Sequence, residues 1–429
     1  MSEGQVTDNP TPALTAALSA MRRRSPGLWS PSDERSRSLL EARLADIAGT
    51  LRGLGISEES IVESLSMAEL SRAYDTFESP RCDPLPASFA VVVPSRATPN
   101  LLRDAPIPLI DAETARSLWA QLCPFVINRY STAEGEAGVL IGCPLDPILD
   151  AEAHSSGVTE RTSQMVTDAI DFAARRFGAR VIGLGSDLST LATLPLLHEL
   201  IARKGVALTA GLAGSSWLLS RVVSSLGVDL GDVGALGMAP GGATVLWGLL
   251  ACEGVGTVHV FDHDRRRRVE VASQYSGFPR VRLAGSVPEV LSRCVVTVST
   301  TSALLDSDLD AVDLAGRWIV DHSPPPRLDP HPVESRGGRI CWSIGQDGSP
   351  HGTATRGGGR ETSIDHDLRT AAPNHIWGWE AEAHAIALAG DAADCALGSV
   401  APRDLARVGA LITAMGTTVA PLQRFGELI

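Results

Sequence analysis

A glycine-rich turn that follows an apolar strand and opens a helix aims backbone N–H groups at an anion. Three such turns occur here: Gly183-Leu184-Gly185, Gly211-Leu212-Ala213-Gly214, and Gly234-Ala235-Leu236-Gly237-Met238-Ala239-Pro240-Gly241. What separates them is an acid about 20 positions on, at the end of the next strand, where a ribose hydroxyl needs an acceptor. The first turn leads into Val206 to Gly211 and the second into Val233-Gly234-Ala235, neither of which ends in an acid. The third leads through an apolar helix to Thr257-Val258-His259-Val260-Phe261-Asp262, so Asp262 stands 21 positions after Gly241. Gly234, Gly237, Gly241 and Asp262 therefore form one complete dinucleotide-binding unit. Pro240 occupies the place of the third glycine of a GxxGxxG pattern, and an ordinary tight βα turn with packing glycines is the alternative.

The residues after Asp262 point two ways. A carboxylate suits the free ribose of NAD, whereas the guanidinium groups of Arg265 and Arg266, first in the run Arg265 to Arg268, suit the 2′-phosphate of NADP. The cofactor is NADP or NAD. Ser299, Thr300 and Thr301 end another strand, and small polar residues there suit a crevice that holds a nicotinamide ring, with a Ser/Thr helix cap as the alternative. Ser189, Thr190 and Ser215 are candidate donors to a developing oxyanion, or helix N-caps. Lys204, the one lysine, precedes Gly205 at a helix end and reads as structural. His322 follows a strand end and reads as a loop histidine. No HExxH or comparable ligand spacing occurs, so no metal is expected.

These residues need strands and helices to position them. Apolar runs at Phe89 to Val93, Val139 to Gly142, Val181 to Gly185, Val206 to Gly211, Val233 to Gly237, Thr257 to Phe261, Val295 to Val298, Trp318 to Asp321 and Arg339 to Trp342 read as strands. Helical stretches such as Glu160 to Phe177 and Ser189 to Arg203 lie between them, which predicts an α/β fold with parallel sheets and crossover helices. Ahead of these, Leu40, Leu44, Ile47, Leu51 and Leu54 make one apolar helical stripe, and Ser66 to Glu69 has the capping-box form. The segment from Ser343 to about Pro373 reads as a mobile loop, followed by helices over Trp379 to Ala393 and Pro402 to Met415.

The 429 residues exceed what one core usually organises, and 44% apolar against 20% charged residues suits a folded protein. A net charge of −13 disfavours nucleic acid as a partner. Seven cysteines, at 82, 123, 143, 252, 294, 341 and 395, form no CxxC pair and read as packing residues in a reducing cytoplasm. The start lacks the form of a signal peptide. Ala235 to Phe261, the most apolar long stretch, is broken by Pro240 and Glu253 and reads poorly as a membrane span.

The chain from about Val139 onward resembles the fatty-aldehyde-forming acyl-carrier-protein reductases and the predicted amino-acid dehydrogenases related to them, which have a shikimate-dehydrogenase-like layout. The resemblance rests on Phe172 to Gly185, similar to their helix, turn and GLG strand, and on Ser186-Asp187-Leu188-Ser189-Thr190 at their Thr-Ser turn. Thr209-Ala210-Gly211 sits at their Thr-Thr-Gly and Gly234 to Gly241 at their dinucleotide turn. It implies a thioester reduced by NADPH through an acyl-enzyme on a cysteine. Here the matching segment reads Pro373-Asn374-His375-Ile376-Trp377-Gly378-Trp379-Glu380, with Trp379 or Gly378 where that cysteine would stand. The thiolate is therefore missing, and the Lys-Asp pair of shikimate dehydrogenases is not evident.

The expected organisation is a flexible tail over 1–31, a helical appendage over 32–84, a substrate domain over 85–226 completed by returning helices over 376–429, and a Rossmann-type NAD(P)-binding domain over 227–372. The expected function is that of a cytoplasmic NAD(P)-dependent oxidoreductase acting on a carbonyl, an imine or a carrier-bound acyl group in a biosynthetic pathway. A non-catalytic dinucleotide-fold binding or scaffold protein that has lost the nucleophile is the alternative. Self-association into a homo-oligomer stays open.

Overall fold

A computed structural model describes residues 87–94, 125–132, 135–143, 160–185, 188, 205–238, 242–300, 306–310, 312–322, 328–348, 355–356, 372, 374–390, 400–424 and 427–429. The expected tail and helical appendage, and the helix read over Ser189 to Arg203, lie outside the described residues.

The first half runs β1 (Phe89–Pro94), β2 (Phe125–Thr132), β3 (Gly135–Cys143), α1 (Glu160–Phe177), β4 (Val181–Leu184), β5 (Ala207–Thr209) and α2 (Leu212–Ser225). The second runs β6 (Asp232–Leu236), α3 (Gly242–Leu250), β7 (Thr257–Phe261), α4 (Arg265–Gln274), β8 (Val281–Leu283), α5 (Val287–Arg293), β9 (Val296–Ser299), α6 (Asp306–Leu309), β10 (Trp318–Asp321), α7 (Pro330–Glu334) and β11 (Arg339–Trp342). The chain then returns through β12 (Ile344–Gln346), β13 (Thr355–Arg356), β14 (His375–Trp377), α8 (Gly378–Ala389), α9 (Pro402–Ala414) and β15 (Thr418–Val419), and ends in a short hairpin, β16 (Gln423–Arg424) with β17 (Glu427–Leu428).

The first sheet has the order β13-β2-β3-β1-β4-β5. Its centre, β3-β1-β4-β5, is parallel, while β2 and β13 extend one edge antiparallel. Side chains alternate across it, as a strand requires. Ala90 and Val92 join Val139, Ile141 and Ile182 under α1, whose Val166, Ala169, Ile170, Ala173 and Phe177 form a helical stripe. Phe89, Val91 and Val93 face the other way, onto Trp377, Trp379, Ala383 and Ile386 at the start and along the length of α8. That helix is buried on every side from Gly378 to Ile386.

The second sheet is parallel throughout and has the order β11-β10-β9-β6-β7-β8. The chain therefore starts in the middle at β6, steps outward through β7 and β8, and jumps back across β6 to continue through β9, β10 and β11. This is the strand order of the doubly wound Rossmann fold, with its switch point between β6 and β9. Both faces are covered. Val233, Ala235, Val258, Val260, Val296 and Val298 pack with α2, α3 and Val271 of α4, while Leu236, Phe261, Ile319 and Ile340 pack with Val287, Val290 and Leu291 of α5.

Two segments differ from the expectation of a loop after Ser343. Ile344–Gln346 pairs antiparallel with both β14 and β15, and Thr355–Arg356 pairs with β2. Strands of two or three residues leave too short an alternation to read in sequence, and their partners are distant in the chain. β2 was likewise not anticipated; it carries irregular register between Val126 and Asn128 and again between Tyr130 and Ser131. Among the described residues no helix is long and apolar enough to cross a membrane.

Candidate active site

The carboxyl edge of the second sheet gathers three of the anticipated residues around one turn. β6 ends at Leu236 and the chain turns at Gly237, whose φ of +85° is in the left-handed region that favours glycine. Gly237 N–H donates to Phe261 O at 2.9 Å. Thr300 N–H donates to Leu236 O at 2.8 Å, and its hydroxyl donates to Gly237 O at 2.6 Å. The ends of β6, β7 and β9 are thus tied together, and the hydroxyl of Thr300 is committed to holding the turn. Gly242, which sequence reasoning passed over, opens α3; a Cβ there would meet Gly237 O at 2.9 Å. The turn is too compact for a side chain at that point, a shape that suits a close-lying pyrophosphate.

Asp262, next after β7, is buried and faces this turn. One carboxylate oxygen accepts the Met238 N–H at 2.5 Å and the other the Asp264 N–H at 2.7 Å. Each oxygen keeps one acceptor position, so the carboxylate both braces the turn and could accept a ribose hydroxyl. Arg267 Nη1 lies 3.9 Å from it. Arg268 turns back to the backbone carbonyls of Asp262 and His263 and lies over the Phe261 ring at 5.3 Å. Asp264 caps α4 by accepting from Arg266 N–H at 2.8 Å. The side chains of Arg265 and Arg266 are exposed on the first turn of α4 and meet no carboxylate among the described residues.

Other anticipated residues are placed differently. Gly234 is in the middle of β6, where a Cβ would meet Val290 Cγ1 at 2.5 Å and Thr297 Oγ1 at 2.6 Å, so its smallness serves packing under α5 and not a phosphate. Ser299 is fully buried within β9, and its carbonyl accepts the His322 N–H at 2.7 Å. Ser215 is not a helix cap: Gly211, with φ of +68°, takes that place. Ser215 instead lies against the first residue of α8, its Cα 2.4 Å from where a Cβ on Gly378 would stand. This position is explained by the close crossing of α2 and α8. Gly241, Thr301, Ser189, Thr190 and Lys204 lie outside the described residues.

The two rival glycine turns are filled by protein. A Cβ on Gly185 would come within 2.8 Å of the Trp379 ring, and one on Gly211 within 2.4 Å of Trp379 Cβ. Trp379, one of the two residues at the place where the resemblance would put a catalytic cysteine, thus plugs the carboxyl edge of the first sheet over β4 and β5. Trp377 stacks on it at 6.3 Å, and Trp342 packs against Trp377 at 5.6 Å. The described cysteines are all buried. Burial pushes the thiols of Cys294 and Cys341 up to about 12 and those of Cys143 and Cys252 upward as well, so none is a ready thiolate.

A buried polar group on α8 escaped sequence reasoning. Glu380 takes the Tyr130 O–H on Oε1 at 2.5 Å and the Trp377 N–H on Oε2 at 2.7 Å. Glu382 accepts from the Thr209 hydroxyl and, at 2.6 Å, from Gly214 N–H at the start of α2. Burial pushes its carboxyl up, and those hydrogen bonds oppose the shift. His384 stacks on Phe89 at 4.8 Å, with Nδ1 3.8 Å from Asp347. The spacing of Glu380, Glu382 and His384 was visible, but nothing local marked this helix as buried all round.

His322 and Ser343 form a second pair at the carboxyl edge. His322 Nδ1 lies 2.6 Å from Ser343 Oγ, and burial pushes the imidazole down to about 4. A cavity of about 750 Å³ lies elsewhere, lined by Trp217, Arg221, Trp247, Cys252 and Glu253. Its residues Leu230 and Gly254 precede β6 and β7, which puts it at the amino edge, away from Gly237 and Asp262. No group of metal-ligating side chains occurs among the described residues.

No protein-family profile and no curated protein matches the chain. Solved structures similar to it include quinate dehydrogenase from Corynebacterium glutamicum in complex with NAD, at 14% identity over 76% of this chain and 99% of that one, with a TM-score of 0.38. L-tryptophan dehydrogenase from Nostoc punctiforme is similar at 12% identity over 78% of this chain and 82% of that one, with a TM-score of 0.33. A dipicolinate synthase chain from Bacillus halodurans is similar at 15% identity and a TM-score of 0.26; the match takes in 42% of this chain and only 60% of that one.

Proposed function

We propose that this chain is an NAD(P)-dependent oxidoreductase that transfers hydride between a nicotinamide dinucleotide and a carbonyl or imine, without a cysteine acyl-enzyme. The observation that carries the reading is the compact turn at Gly237, placed at the switch point of a doubly wound sheet and braced by the carboxylate of Asp262. Backbone N–H groups at the start of α3 would hold the pyrophosphate, and Asp262 the adenosine ribose. Asp262 suits the free ribose of NAD, whereas Arg265 and Arg266, exposed just beyond, would pair with the 2′-phosphate of NADP, so the cofactor of this reading is NAD or NADP. A carrier-bound acyl group would be reduced in this reading by direct hydride transfer, because the four thiols among the described residues are buried and offer no nucleophile.

Titration of the protein with NADPH and NADH, followed by nicotinamide fluorescence, tests the assignment. Asp262→Ala should weaken NADH binding by roughly 1–3 kcal/mol; unchanged affinity would put Asp262 outside the site. Trp379 favours a second reading, a dinucleotide-binding protein without catalysis, since it fills the carboxyl edge of the first sheet over Gly185 and Gly211. Tight dinucleotide binding with no hydride transfer to any carbonyl, imine or thioester would favour that reading.

A further inference from the structure

The corner where the two halves of the molecule meet holds a pair that the dinucleotide assignment leaves unused. His322 follows β10 at the carboxyl edge and is half-buried, with its N–H anchored on Ser299 O. Its Nδ1 meets the hydroxyl of the buried Ser343, leaving Nε2 without a hydrogen-bond partner among the described residues. Trp342 and Ile344, on either side of Ser343, pack into the core of the first sheet. The pair is therefore fixed at the boundary between the two sheets. β10 lies two strands from β6, on the side away from Asp262, a separation of about 10 Å at ordinary strand spacing. A dinucleotide with its pyrophosphate at Gly237 and its adenosine ribose toward Asp262 must extend its other half over β9 and β10.

Resting on the function proposed above, we infer that His322 binds the nicotinamide end of the dinucleotide: the Ser343 hydroxyl donates to Nδ1, and Nε2–H donates to the carboxamide oxygen. Serine fixes the tautomer, and the tautomer fixes which way the ring can donate. A ring that stays neutral, as burial makes this one, places no cation beside a nicotinamide that becomes positive on oxidation. The carboxamide so held sets which face of the ring looks toward the first sheet.

Calorimetric titration of the full chain with NADPH, NADH, ADP-ribose and 2′-phospho-ADP-ribose separates this inference from its premise. The last two carry the pyrophosphate and both riboses but no nicotinamide, so they read Gly237 and Asp262 alone. His322→Ala should weaken the preferred reduced dinucleotide about five-fold, the equivalent of one ordinary hydrogen bond, and leave the matching ADP-ribose unchanged. His322→Gln, whose amide nitrogen reaches the place of Nε2, should restore most of the loss. ¹⁵N spectra should show the proton on Nε2 in the parent protein and a shift toward Nδ1 in Ser343→Ala. A His322→Ala protein that binds every ligand as the parent does, or loses all of them equally, overturns the role of His322 while leaving the dinucleotide site standing. A parent protein that binds none of the four overturns the premise and the inference with it.

Discussion

If Trp379 fills the turn at Gly185, the two positions must be energetically coupled, and a double-mutant cycle measures how strongly. Gly185 does not have a left-handed φ, so Gly185→Ala carries no backbone penalty. Its added Cβ would instead stand 2.8 Å from Trp379 Cε3, 3.0 Å from Cδ2 and 2.9 Å from Val93 Cγ1. Overpacking of this kind costs about 1–3 kcal/mol. Trp379→Leu removes part of a large buried ring and should cost about 2–4 kcal/mol, somewhat less than truncation to alanine. In the double variant the ring clash is gone and only the contact with Val93 persists. The two losses should therefore fall short of additivity by about 1–2 kcal/mol, within the range of coupled neighbours. Urea unfolding followed by circular dichroism reads this without relying on the tryptophan that is changed. Losses that add to within about 0.3–0.5 kcal/mol would refute the packing argument. The same proteins test which turn serves the cofactor. Gly185→Ala should leave dinucleotide affinity intact, whereas Gly237→Ala, at a φ of +85°, should strain the cradle by about 1–2 kcal/mol and weaken binding.

His322 makes stability depend on pH. Its folded value, near 4, lies below the ordinary 6.5, so between these the unfolded chain binds the extra proton and stability falls as pH drops through that window. The slope from this group is at most about 1.4 kcal/mol per pH unit, and urea unfolding of His322→Gln between pH 7 and 4 should show that part of the slope removed. The buried thiols of Cys143, Cys252, Cys294 and Cys341 should resist iodoacetamide in the native protein and react on unfolding, as mapped by peptide mass spectrometry.

The parts of the site visible in the sequence were those written into a short stretch of chain. The strand, turn, helix and strand from Val233 to Asp262 contain both the cradle and its carboxylate, because a βαβ unit closes on itself within about 30 residues. The error at Gly234 has the same origin: a string of glycines does not show where the strand ends, and Gly234 belongs to the strand. Ser299 was misplaced by one residue for the same reason, since Thr300 is where the turn begins. What sequence could not show depends on contacts between distant strands. Trp379 meets Gly185 and Gly211 only because α8 returns to the first sheet, and His322 meets Ser343 only because β10 and β11 are neighbours. The helix over Gly378–Ala389 was anticipated within a few residues, but its Glu380, Glu382 and His384 were given no role. Their burial follows from being sandwiched between the sheet and α2, which no periodicity records.

The return of α8 has a bearing on how the protein is made. The face of the first sheet formed by Phe89, Val91 and Val93 is covered by a helix about 290 positions later in the chain, and at about 5–20 residues per second a ribosome takes roughly 15–60 s to supply it. The second sheet, continuous in sequence, can close within that interval. A nascent chain thus carries an uncovered apolar surface until α8 emerges, and any message cut short before α8 leaves a polypeptide prone to clump.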